Sequence, residues 1–149
     1  MKWLNLPPFW LAGCVALAYG QSRIFPIGLS LAHPVTSFFA GLCVGAGGIL
    51  TGLAVIAFKR HHTTIMPHEE ATHLIQSGVF KISRNPIYLA DVLILLGFVL
   101  WWDAVPSLVL VPVLFLVLET RFVLPEEDRL RTQFRVEFAR YAQKTRRWL

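Results

Sequence analysis

Charge and cysteine are what this 149-residue chain has least of. Only 15% of its residues are charged, against 55% hydrophobic. Soluble domains carry about 25% charged residues, so an ordinary water-soluble globule is excluded and a bilayer becomes the expected solvent. The two cysteines, Cys14 and Cys43, both lie in apolar runs. Small buried thiols are expected there, rather than a disulfide framework or a cysteine metal site, and nothing calls for an oxidising compartment. Acids are scarce too: 9 against 14 Lys and Arg, a net charge of +5. The basic residues flank apolar runs and form no continuous face. That argues against nucleic acid as a partner and reads as topology signals and contacts with anionic lipid.

What the chain has in quantity is apolar runs broken by turn residues. Four are expected to span a membrane, at about residues 4–20, 35–58, 87–102 and 105–123, within a single domain covering 1–149. The first imitates a signal peptide through Ala16-Leu17-Ala18, but one lysine and the Pro7-Pro8 pair favour a retained span. The second carries Gly41, Gly45, Gly47, Gly48 and Gly52. Its two G-x-x-x-G pairs suit close packing against a neighbouring span of the same chain better than a homodimer. The third is short for a full crossing, since sixteen residues rise about 24 Å. Trp101 to Pro106 reads as a tight aromatic turn, which makes the third and fourth spans a hairpin.

With the N-terminus inside, thirteen of the fourteen Lys and Arg fall on the inner side and only Arg23 falls outside. Both termini are therefore expected to be cytoplasmic. The interval 63–86 and the segment after the fourth span fall on that same face. The latter, 125–141, reads as a surface-lying amphipathic helix, with Leu130, Phe134, Phe138 and Tyr141 on one side. Pro125 followed by Glu126, Glu127 and Asp128 makes a well-formed first helical turn.

The polar interval ends in dense punctuation. Ser77-Gly78 marks a turn, and Val79 to Ile82 reads as extended or irregular. Asn85 is placed as an N-cap, and Pro86 suits the first helical position. A helix thus begins at a membrane surface with its free N–H groups turned to a loop, a place suited to an anionic ligand group. His61, His62, His68 and His73 invite a zinc reading, but His68 and His73 are five apart where one helical face requires four. No metal is expected. Asp91 and Glu119 are the acids in or near the spans and are functional candidates by depth alone. Asp91 has the interface within reach, and Glu119 has a neighbouring cation as its expected partner.

Taken together, these pieces form an ordered set: Thr64 to Pro67, L-I-Q-S-G-V-F from Leu74 to Phe80, R-N-P-I-Y from Arg84 to Tyr88, E-E-D-R-L from Glu126, and Phe134, Phe138 and Tyr141. That set resembles the membrane-embedded methyltransferases of the isoprenylcysteine carboxyl methyltransferase and phospholipid methyltransferase group. The resemblance runs from about Thr63 onward. It implies an all-α integral membrane enzyme with about four transmembrane helices, a cytoplasmic cofactor-binding loop and a C-terminal amphipathic helix. It also implies S-adenosyl-L-methionine as cofactor, and an amphiphilic acceptor, prenylcysteine-like or lipid, that enters from the bilayer.

Carried over by matching position, the cofactor residues are Thr72, His73, Leu74, Ile75, Phe80, Arg84, Asn85, Pro86, Ile87 and Tyr88, with Glu126 and its neighbour Glu127. Glu126 and Arg121 are the catalytic candidates, Arg121 lying one register position from a substrate-facing arginine of the prenylcysteine enzymes. Asn85 and Phe80 replace the histidine and tyrosine of those enzymes and so weaken the case for that substrate. Arg135 replaces a glycine, with little effect expected on an exposed helix. Two other classes remain open: an NADPH-dependent sterol-type membrane reductase, and a non-enzymatic adaptor on the same fold.

Overall fold

The structure, a computed structural model, describes residues 6–25, 28–61 and 74–149, and every regular element among them is helical. Helix α1 spans Pro7–Ile24, α2 Pro34–Arg60 and α3 Pro86–Trp101. Each opens on a proline, whose fixed φ and missing N–H suit a first turn. In α2 the His33 ring accepts the Val35 N–H at 3.2 Å, and Lys59 and Arg60 close the helix where its dipole favours cations. After a 3-10 segment at Val105–Val109, α4 covers Leu110–Leu118, and α5 covers Leu124–Lys144.

The four apolar segments stand antiparallel. At one end Gln21 accepts from Ser107, and Asp103 accepts from the Leu31 N–H and the Ser30 hydroxyl. The Tyr19 ring meets Trp102 edge-on at 5.1 Å there. At the other end Arg121 lies 5.3 Å over the Trp10 ring and Phe58 meets Phe80 at 5.5 Å. Ala18, Leu95, Val99, Leu114, Leu118 and Val123 are fully or almost fully buried between the helices. Leu17, Phe38, Ile49, Val113 and Leu116 point outward as exposed apolar side chains. The outside of the bundle is oily, which suits a lipid surround. Pro34–Arg60 and the continuous stretch Val105–Lys144 are long and apolar enough to cross a membrane, and Pro86–Trp101 is apolar but shorter. This is an all-helical membrane protein.

Several expectations change. Gly78–Lys81 is a 3-10 turn rather than an extended or irregular piece, entered through Gly78 at φ +61. The close approach of α2 and α3 does not use the G-x-x-x-G pairs, since a Cβ on Gly41, Gly45, Gly48 or Gly52 would meet nothing within 4 Å. The contact is made by Gly47 against the Ala90 carbonyl and by Gly97 against the Ala40 carbonyl, where a Cβ would sit 2.9 and 2.8 Å away. The fourth apolar segment and the C-terminal helix are not separate elements. They join through a π turn at Glu119–Val123. Pro125 cannot donate to the carbonyl four residues back, that of Arg121, and its ring crowds it; widening the turn there relieves both. Arg135 also matters more than expected: at φ +34 and ψ −101 it kinks α5 in a region where glycine is at ease and arginine is strained.

Candidate functional site

Five pieces of chain meet at the motif end of the bundle: residues 74–85, the start of α3, the π turn, the start of α5 and residues 145–148. The first is anchored on α2. Ile75, Val79 and Phe80 are buried against Ala54 and Ala57, with Leu50, Phe58 and Ile87 beside them. The Ser77 hydroxyl lies 2.9 Å from the His61 ring, and the Tyr141 hydroxyl donates to the Phe80 carbonyl at 2.6 Å. Ile75 and Phe80, two of the residues carried over for the cofactor, are packed in this cluster. Leu74 and Ile87 are half-buried. Thr72 and His73, like Thr64 and Pro67, lie outside the described residues.

At the head of α3, Asn85 occupies the N-cap position but makes no capping bond. The Ser83 hydroxyl accepts the Asn85 N–H at 3.1 Å, while the Asn85 side-chain amide donates to the Arg147 carbonyl at 3.2 Å. Among the described residues, no side chain caps the first turn of α3. One turn in, the buried Tyr88 hydroxyl donates to Glu126 at 2.9 Å, across 38 residues of chain. Glu126 is half-buried. Burial lifts its carboxyl above the ordinary glutamate range, and the Tyr88 hydroxyl and Arg129 oppose that shift.

Glu127 has a different task. It is 3% exposed, and Arg84 meets it at 3.3 Å while Arg147 donates to it at 2.8 and 3.1 Å. Arg147 also reaches Glu119 at 3.3 Å, so Glu119 has the cation it was expected to find. Two guanidiniums compensate the buried carboxylate of Glu127. Arg84 is drawn inward with it and stands 5.8 Å over the Phe138 ring. Arg121 is not brought into this cluster. It is exposed and lies over Trp10 on the α1 side.

Residues 145–148 had no place in the sequence reading. The Arg146 carbonyl accepts the Arg84 N–H at 3.1 Å, the Arg147 carbonyl accepts from Ser83 and Asn85, and Trp148 packs on Phe115 at 4.5 Å. They form a clasp across the motif loop. The one available signal was Ser83, whose position before Arg-Asn-Pro suits a local hydroxyl turn. Arg147 gives no local sign, being 20 residues from Glu127.

Chemically, the arrangement offers donors for an anion at the α3 terminus and a partly desolvated acid, Glu126, beside them for a cation. Both sit at the boundary between polar loop and apolar bundle. A family model described as phospholipid methyltransferase matches residues 35–137. No curated protein and no solved structure matches. The matched stretch takes in α2, the motif loop, α3, α4 and α5 beyond its kink. More than two thirds of the 149 residues lie within it, and with this geometry the chain is a membrane methyltransferase that belongs to the phospholipid methyltransferase family.

Proposed function

We propose that this protein transfers a methyl group from S-adenosylmethionine to a lipid amphiphile at the cytoplasmic membrane surface. Four spans would place both termini on that face. The observation that carries the reading is the pairing of the uncapped α3 N-terminus with Glu126, fixed to that helix through Tyr88. A zwitterionic amino acid group needs such a pair: N–H donors for its carboxylate and a carboxylate for its ammonium. The donor set fits that group.

The cofactor's sulfonium supplies an already activated methyl. What remains for the protein is to bind, orient and exclude water. Ile87 and Tyr88 provide the backbone N–H groups at the helix head, Glu126 holds the ammonium, and the half-buried Leu74 borders the loop side. Glu127, Arg84 and Arg147 keep α3 and α5 in register, so that these groups hold their spacing. Arg121, outside the cluster and over Trp10 of α1, would be the residue to meet an acceptor headgroup arriving from the lipid side. Asn85 acts through the clasp, as its amide is held by Arg147.

The test is equilibrium binding of S-adenosylmethionine to detergent-purified protein, wild type beside Glu126→Ala and Asn85→Ala. We expect saturable binding that Glu126→Ala weakens by about tenfold or more, the equivalent of about 1.4 kcal/mol. A folded wild type that binds no S-adenosylmethionine would end the proposal.

A further inference from the structure

A hollow on the side of the bundle takes no part in the motif cluster. It is a groove of about 270 Å³ between α1 and α4, walled by Trp10, Gly13 and Leu17 on one side and by Leu110, Val113 and Val117 on the other. Gly13 opens it: the residue is exposed, and a Cβ there would meet nothing within 4 Å. Leu17 and Val113, 64% and 45% exposed, stand at its rim, so the groove faces outward, where an apolar surface suits lipid. Its α1 wall lies outside the matched residues 35–137, so the family match does not account for it.

The dimensions suit one hydrocarbon chain. From Phe9 to Leu17 the α1 wall is about 12 Å long. A volume of about 270 Å³ over that length leaves a section of about 22 Å², the girth of a single extended chain and too narrow for fused sterol rings. The lining is almost wholly apolar, so nothing in it holds water. The motif end of the groove supplies a charge. Trp10, part of the wall, lies 5.3 Å beneath Arg121, which follows Val117 by about one turn. Arg121 is exposed, and among the described residues no carboxylate forms an ion pair with it. A guanidinium over a ring still has its edge N–H groups for a phosphate. With no acid paired there to receive a headgroup cation, a net negative headgroup is favoured over a zwitterionic one.

We propose that the α1–α4 groove is a lipid-binding site that seats one acyl chain of an anionic phospholipid, with the phosphate on Arg121. Chain and headgroup are recognised separately, the first by width and the second by charge. Glu126 and the head of α3 lie outside the lining, so the site stands without the methyltransfer reading. Within that reading, an acceptor headgroup reaching Arg121 would displace this lipid first.

The experiment titrates the full chain in neutral detergent micelles with phosphatidylglycerol or phosphatidylcholine carrying brominated acyl chains. Quenching of tryptophan fluorescence reports a chain lodged against Trp10. Wild type is compared with Gly13→Leu, which fills the groove, with Arg121→Gln, and with Gly48→Leu on the outward face of α2, where there is also nothing within 4 Å. The wild type should hold phosphatidylglycerol about tenfold more tightly than phosphatidylcholine. Gly13→Leu should weaken both lipids by about tenfold, Arg121→Gln should make them equal, and Gly48→Leu should match the wild type. Wild-type affinity in Gly13→Leu, or no headgroup preference in the wild type, would overturn the assignment. Equal losses in Gly13→Leu and Gly48→Leu would overturn it too, since general lipid solvation would then explain the quenching. Should Arg121→Gln fail to fold, Gly13→Leu and the wild-type headgroup comparison decide the matter alone. S-adenosylmethionine binding is read on the same samples. Its absence beside intact lipid preference would end the methyltransfer reading and leave the groove as a lipid site.

Discussion

At the scale of single residues, neighbouring acids divide the work. Glu127 is buried and doubly paired, so Glu127→Ala leaves Arg84 without its carboxylate and Arg147 with Glu119 as its remaining one. The expected loss is about 3–5 kcal/mol, read as a fall in thermal midpoint in detergent. Adding Arg147→Ala should recover part of it, because the two substitutions share one network. Glu126 is instead the proposed partner of the cofactor's ammonium. Its carboxyl is raised from an ordinary value of 4.5, so S-adenosylmethionine affinity should fall as pH drops through that raised value, and Glu126→Gln should flatten the profile. For folding the sign is opposite: this group's contribution is full below 4.5 and is lost as pH rises through its folded value. The sequence showed Glu126 and Tyr88 because both sit in local motifs. It hid Arg147, whose partners lie 20, 28 and 62 residues away.

Among the elements, the helices were legible because prolines, glycines and apolar runs announce them locally. The junctions were not. The π turn depends on how Pro125 relates to the carbonyls behind it, and the kink depends on where the far end of α5 must go. Past Arg135 the helix swings back, burying Phe138 and Tyr141 against Arg84 and the Phe80 carbonyl. That tertiary reward sustains a φ of +34 on an arginine. Arg135→Gly should therefore raise stability by about 1 kcal/mol, seen as a higher thermal midpoint with cofactor affinity unchanged. A lower midpoint would mean that the arginine side chain contributes more than its backbone costs.

For the whole molecule, composition was enough to place the chain in a membrane, yet the glycine pattern misled about which contacts join the helices. Motif spacing cannot tell which side of α2 faces α3; only the assembled bundle shows that Gly47 and Gly97 do. A Cβ at Gly97 would stand 2.5 Å from Val44 Cγ2 and 2.8 Å from the Ala40 carbonyl. Because backbone cannot yield as a side chain can, Gly97→Ala should cost about 1–3 kcal/mol. Gly48→Ala, with nothing within 4 Å, should be neutral or slightly stabilising in the same melt.

The clasp of residues 145–148 carries a consequence for the order of events during biosynthesis. Ser83, Arg84 and Asn85 leave the ribosome some sixty residues ahead of the carbonyls that secure them. The four apolar helical segments described above have been translated by then. A nascent chain whose helices are already threaded into lipid still has a loose motif loop, and competence arrives as a late, separate event. Newly made protein should thus pass through an inserted but inactive stage, protease-sensitive around residues 81–85, that vanishes when Arg147 and Trp148 dock.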